Sequence, residues 1–314
     1  MIEVPGAFRQ NTVEREGERG AAWLAQLPLI VDEMLTRWAC TPDGPVLHGG
    51  IGVVIPVRAE ASGPAVLKVS FPHPGNVHEP DAFAAWDGRS AVRLYERDDE
   101  RFAMLLERAQ MSTLLEVASA DEAAAIAGAI SRRLALKAPA CLPRLSEQAD
   151  EWERQLREDA AELDHPLSSS ALGTALATVC ELGRLQPELM VHGDFHASNI
   201  LRADREPWLI VDPKGYAGDP AYDAAMPIKW RPLMLLKGDD LRKAVRRGLE
   251  IFADAAELDR ERVRRWGQFH AVQVALWGRR QGFRAGRQGP QRDTVTEYAD
   301  RLAEVLADEP QAPS

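Results

Sequence analysis

Asp194 and Asn199 stand five positions apart in His192-Gly193-Asp194-Phe195-His196-Ala197-Ser198-Asn199, and Asp212 follows in Val211-Asp212-Pro213-Lys214. An aspartate, an asparagine and a second aspartate in this order suit phosphoryl transfer. Asp194 would accept the proton of a substrate hydroxyl, and Asn199 and Asp212 would hold the Mg²⁺ that draws charge off nucleotide phosphates. The catalytic loop of protein kinases has the same Asp-to-Asn spacing. Here glycine precedes the aspartate in place of arginine, and Asp-Pro-Lys stands in place of Asp-Phe-Gly. Those departures point to kinases of small molecules.

A phosphate-binding cation is expected upstream. Lys68 lies inside the β-like run Val66-Leu67-Lys68-Val69, where a lysine is costly unless its amine reaches a partner or solvent. There it would meet the α- and β-phosphates as a point charge. Glu79, at the start of the next helix, is the carboxylate expected to aim it, with Asp81 as the alternative. The turn His48-Gly49-Gly50-Ile51-Gly52 precedes this strand pair, and Gly50 and Gly52 would let backbone amides approach a phosphate. No GxxxxGK[ST] sequence occurs, which argues against a P-loop enzyme.

Other residues of the opening stretch are read structurally. His192 is expected to hold the loop through backbone hydrogen bonds. His196, four residues on, invites a zinc reading that the glycine between them and the missing HExxH glutamate argue against. Ser198 lacks a G-x-S-x-G elbow. Asp219 before Pro220 reads as an N-cap. Asp223 is either a solvated first-turn acid or a group reaching the acceptor.

Around these residues the chain reads as α+β. Residues 1–19 are polar and expected to be loosely ordered, and residues 21–39 form an amphipathic helix carrying Trp23, Leu24, Leu27, Ile30, Val31, Met34 and Leu35. Short β-like runs follow at 53–57, 65–69, 92–95 and 102–106, with a helix over 78–86 between them. A helix is expected at 121–137, and from Glu147 onward the chain is mostly helical, apart from short strands near 189–191, 200–201 and 209–211. The tail from Pro310 is expected to be disordered. The boundary between an N-terminal lobe (1–106) and a helical C-terminal lobe (107–314) falls after Leu106, with Glu107-Arg108-Ala109 as hinge.

The whole chain has 314 residues, 45% hydrophobic, with a net charge of −10. That balance excludes general attraction to nucleic acid or anionic membrane. Three dispersed cysteines, Cys40, Cys141 and Cys180, read as buried, reduced thiols of a cytoplasmic chain, monomeric or homodimeric. Neither a signal peptide nor an apolar run of the ~18 residues of a membrane span is evident.

Ala21-Ala22-Trp23-Leu24-Ala25-Gln26-Leu27-Pro28, Ala65-Val66-Leu67-Lys68, Ala91-Val92-Arg93-Leu94, Leu105-Leu106-Glu107-Arg108, Glu206-Pro207-Trp208-Leu209-Ile210-Val211-Asp212-Pro213-Lys214 and Gly218-Asp219-Pro220 span nearly the whole chain. Together with the catalytic stretch they resemble the aminoglycoside phosphotransferase family, in its streptomycin 6-phosphotransferase and hydroxyurea phosphotransferase branch. The resemblance implies a protein-kinase-like fold with a small antiparallel sheet lobe and a helical lobe. It also implies MgATP as donor and adenine against Glu107 to Ala109. Asp194 carries over as base, Asn199 and Asp212 as metal ligands, and Lys68 with Glu79 as the phosphate-binding pair.

The acceptor is less constrained. His270, Gln273 and Trp277 share a helical face and are candidates for an acceptor pocket. From Arg262 through Arg292 there is no acidic residue, but Arg264, Arg265, Arg279, Arg280, Arg284 and Arg287 are present. If they do not simply face solvent, they favour a neutral or anionic hydroxyl compound, such as hydroxyurea or a sugar-like metabolite, over di-cationic streptomycin. A nucleotide-binding pseudokinase is disfavoured because Lys68, Asp194, Asn199 and Asp212 are all present. A protein kinase is disfavoured because the segment between Asp212 and Asp219 is too short to dock a peptide.

Overall fold

A computed structural model describes residues 2–163, 167–224, 241–280 and 291–307. The chain divides into two compact units, residues 1–111 with 201–214, and residues 112–200 with 215–314. The tail from Pro310, expected to be disordered, lies outside the described residues.

The first unit opens on α1 (Gly6–Arg37), which is broken at Gly17 (φ 60°, ψ −136°). Such a backbone suits glycine alone. The break folds the two helical arms against each other: a Cβ on Gly20 would stand 2.7 Å from the Thr12 carbonyl oxygen. In one continuous helix those residues would be about 12 Å apart along the axis. The expectation of loose order over 1–19 is therefore corrected. Phe8 is buried and packs edge-on against Trp23, 6.1 Å between ring centroids, so the polar arm is anchored by one aromatic side chain whose partner lies on the other arm.

The sheet runs in the order β1 (Cys40–Pro42), β3 (Gly52–Ala59), β4 (Gly63–Ser70), β6 (Ala103–Glu107), β5 (Leu94–Asp98), with β2 (Leu47–His48) also paired to β3. Every described pairing within it is antiparallel. Side chains alternate between faces, and this decides where Lys68 goes. Ala65, Leu67 and Val69 turn into the core shared with α1; Lys68, out of phase with them, points to the other face. The helix α2 (Glu79–Trp86) begins with Glu79 and Pro80, proline at the helix start being pre-set for helical φ. The run expected at 92–95 begins later, at Leu94, because Val92 donates its N–H to Ile210 (3.2 Å).

That hydrogen bond explains why residues 201–214 belong to the first unit, a feature a continuous division at 106/107 does not contain. β9 (Trp208–Ile210) pairs with β8 (Ile200–Arg202) and bridges to Ala91. Arg205 spends its guanidinium on Glu107, Glu206 and the carbonyls of Gly88 (2.7 Å) and Ala91 (2.8 Å).

The second unit is mainly helical. α3 (Ala120–Leu134) is capped by Ser119, whose hydroxyl accepts from the Glu122 N–H. α4 (Ala149–Glu162) and α5 (Ser169–Thr178) follow, then α6 (Leu241–Ala256), α7 (Arg260–Arg280) and α8 (Gln291–Ala307). α3 lies along α6, and α7 packs on α5 and α8. Between α5 and α6, β7 (Leu189–Val191) pairs antiparallel with β10 (Tyr216–Gly218), a strand too short to show in the sequence pattern. No described helix is long and apolar enough to cross a membrane. All three cysteines are free, and only Cys40 is buried; Cys141 and Cys180 are exposed, contrary to the expectation of buried thiols.

Candidate active site

The residues singled out by their chemistry form two groups, each built within its own unit. In the first unit, Lys68 reaches Glu79 Oε1 at 2.5 Å and also bonds to Asp212 Oδ1. Glu79 is 1% exposed and Lys68 9%. The alternative acid, Asp81, is turned to Arg97 (2.9 Å) and His78 (3.1 Å) instead. Burial pulls the Lys68 ammonium pKa down, but the Asp212 and Glu79 carboxylates outweigh it and hold the group above its ordinary value. Burial pushes the Glu79 carboxyl up to about 7, with Lys68 and Lys214 opposing that rise. Asp212 sits in the left-handed region, φ 63°, which aspartate tolerates better than most non-glycine residues.

The glycine turn joins β2 to β3, with the Gly49 N–H donating to Gly52 O (2.9 Å). Gly50 is exposed, and its carbonyl accepts from Arg15 Nη1 (2.8 Å). Gly52 has a steric reason independent of any phosphate: a Cβ there would stand 2.7 Å from Ser70 Oγ and 2.9 Å from the Val69 carbonyl. In the expected hinge, the Glu107 carboxylate is occupied by Arg205 Nη2 (2.8 Å) and the Arg93 N–H (3.0 Å). Ala109 is part-exposed.

In the second unit, β7 delivers the loop that holds Asp194. Asp223 is 4% exposed, and its two oxygens accept the N–H groups of His192 (2.8 Å) and Gly193 (2.9 Å). It is thus a clamp on the loop rather than a solvated first-turn acid. His192, fully buried, accepts the Asp194 N–H on Nδ1 (3.2 Å), which places its own proton on Nε2. Asn199 Nδ2 donates to the Asp194 carbonyl (3.1 Å), so its Oδ1 is the atom it offers to a cation. The Asp194 side chain remains 29% exposed, with His196 Nε2 3.7 Å away and Ser198 bonded in turn to His196 Nδ1 (2.8 Å). Among the described residues no three His, Cys, Asp or Glu side chains converge as a metal cluster. Asp212 and Asn199 are hard oxygen donors of the kind Mg²⁺ takes one or two of, alongside substrate phosphates. Truncating Asp223 to alanine would strand two loop N–H groups. Urea denaturation should register a loss of about 2–5 kcal/mol.

No sequence signal marks Tyr222 as a site residue. It stacks on Trp152 (centroids 5.6 Å apart, planes at 11°) and meets His270 edge-on at 4.5 Å. Burial, followed by the neighbouring Tyr216, Asp223 and Asp194, raises its phenol pKa, so it stays protonated. Of the expected acceptor face, His270 joins this cluster through a bond to the Tyr222 carbonyl oxygen (2.7 Å), Gln273 is half-buried and Trp277 is 51% exposed. Asp219 caps the turn Pro220–Ala224 by accepting the Ala221 N–H (3.0 Å), and it also holds Trp266 Nε1 (2.7 Å) and Arg262.

Carboxylates pair with the arginines of α7 in the acid-free stretch. Arg264 pairs with Glu261, Arg265 with Glu181, Arg279 with Asp300 and Arg280 with Asp159. Except for Glu261, those acids come from other segments of the chain. Arg284 and Arg287 lie outside the described residues.

A lysine held by a helix glutamate and an aspartate, and a loop aspartate braced by an asparagine, are compatible with phosphoryl transfer, and the fold is that of protein-kinase-like phosphotransferases. The fold is shared by the choline kinase of Streptococcus pneumoniae, with a TM-score of 0.56 at 14% identity over 90% of this chain and 99% of that one. Residues 37–282 match the model of the aminoglycoside/hydroxyurea antibiotic resistance kinases, and the chain belongs to that family. It is 33% identical to streptomycin 6-kinase of Streptomyces glaucescens, over 88% of this chain and 91% of that one. It is 31% identical to hydroxyurea phosphotransferase of Kitasatospora aureofaciens, over 88% and 80% respectively. The protein is therefore a phosphotransferase acting on small-molecule hydroxyls, and the family's chemistry makes ATP the donor.

Proposed function

We propose that this enzyme transfers the terminal phosphoryl group of MgATP to a hydroxyl of a streptomycin-type aminoglycoside. The observation that carries this reading is the Asp194 carboxylate: part-exposed, on a loop fixed from both sides by His192, Asn199 and Asp223. Asp194 orients the acceptor hydroxyl and takes its proton as the oxygen attacks phosphorus. Lys68, aimed by Glu79, binds the donor phosphates. Asn199 and Asp212 are the oxygen ligands of Mg²⁺, which when bound neutralises charge on the phosphates. No covalent enzyme intermediate is needed. The adenine contacts Glu107 to Ala109 through backbone, since the Glu107 side chain is spent on Arg205.

The acceptor assignment rests on relatives and on local chemistry. The described arginines of α7 each have a carboxylate partner, which lessens their opposition to a cationic drug. The part-exposed Asp194 carboxylate, with the half-buried Tyr222 ring near it, suits a cationic hydroxyl compound. An ADP-release assay with streptomycin, hydroxyurea, other aminoglycosides and amino sugars, each with ATP or GTP, tests this. Streptomycin-dependent ADP release, abolished by EDTA and restored by Mg²⁺, is expected. Release with hydroxyurea alone would transfer the reading to that acceptor, and no release with any of them would sink it.

A further inference from the structure

Lys214 is a second cation placed beside the phosphate-binding trio of the first unit. Lys68 faces two carboxylates, Glu79 and Asp212, so the trio carries a net negative formal charge and cannot by itself neutralise a polyphosphate. Lys214 follows Asp212 by two residues, directly after Pro213, whose buried ring fixes its own φ. Its stem runs over Gly75, its Cδ 3.8 Å from where a Cβ on that glycine would stand, on the side where His73 Nδ1 comes within 3.1 Å. The residue is half-buried. Among the described residues its ammonium makes no hydrogen bond or ion pair, although it lies near enough to Glu79 to oppose the rise of that carboxyl. A part-buried stem and a charge with no described ion-pair partner, two residues from the aspartate that bonds the phosphate lysine, are what a second phosphate ligand requires.

We propose that Lys214 binds the β- and γ-phosphates of the donor and stabilises the transferring phosphoryl group. The inference rests on the kinase reading above. A solvated lysine that merely follows Asp-Pro would make the opposite forecast, namely that removing the charge changes nothing. The test uses the full chain as wild type, Lys214→Met and Lys214→Arg, with affinities for AMP, ADP and the non-hydrolysable ATP analogue AMP-PNP measured by calorimetry, and turnover measured alongside. In Lys214→Met, AMP-PNP affinity should fall about tenfold or more while AMP affinity stays within about twofold of wild type. Its kcat should fall about 100-fold. Lys214→Arg should recover most of the AMP-PNP affinity. AMP-PNP binding in Lys214→Met within about twofold of wild type would overturn the assignment. A parallel loss of AMP and AMP-PNP would do so too, by revealing a structural role. A wild-type protein that binds no AMP-PNP and turns over no acceptor would instead remove the kinase reading on which this one stands.

Discussion

Asp194→Ala is expected to lower turnover by about 10³-fold or more while leaving nucleotide affinity and stability near wild type. The size follows from two losses in one substitution: the acceptor hydroxyl loses its proton acceptor and the group that orients it. The selectivity follows from how the loop is built. Asp194 contributes its N–H to His192 and its carbonyl to Asn199, and both bonds are backbone bonds on the Asp194 side. The clamp on the loop is Asp223, not Asp194. Truncating a carboxylate that is part-exposed should therefore cost within about 0.5 kcal/mol. Steady-state kinetics, nucleotide titration and thermal melting on the same preparation check all three parts. Turnover within about threefold of wild type would remove Asp194 from the role of base.

Lys68→Met is the second large effect, and it should be felt in both function and stability. The phosphates lose a positioned cation, with an expected drop in kcat of about 10²–10³-fold. The fold is left with the buried Glu79 carboxylate unpaired, a cost of about 3 kcal/mol. The two consequences can be separated. Adding Glu79→Gln to Lys68→Met removes the stranded charge and should return most of the lost stability with none of the lost activity. Chemical denaturation of the single and double variants reads the first; turnover reads the second. Equal destabilisation of the single and double variants would mean that Lys68 and Glu79 are not coupled in solution.

Much of the architecture is written in local pattern. The alternation through Ala65, Leu67 and Val69 marks β4, and it also sets Lys68 on the face opposite the core, because successive side chains of a strand point to opposite sides. The Asp-to-Asn spacing around Asp194 and the Asp-Pro-Lys turn are contiguous in the chain, so their chemistry can be read directly. The arm before Gly17 hides its order because its composition is polar and its aromatic anchor, Phe8, meets Trp23 only after the chain reverses. Which acid serves Lys68 is open in the sequence between Glu79 and Asp81, since both lie in the first turn of one helix. Their choice depends on Arg97, which draws Asp81 away.

The sequence by itself determined the reaction class: residue types and short spacings fix which groups can accept a proton, hold a cation or meet a phosphate. The tertiary structure alone decided the charge environment. Asp223 became a loop clamp, and the described arginines of α7 were paired with carboxylates, mostly far away in the chain. Residues 201–214 joined the sheet unit through Arg205 and Ile210. Ion pairs and buried hydrogen bonds form between groups that are neighbours in space, and folding brings those together without regard to their order in the chain. A stretch that looks cationic when read linearly can therefore have its charges paired once folded, as Arg265, Arg279 and Arg280 are.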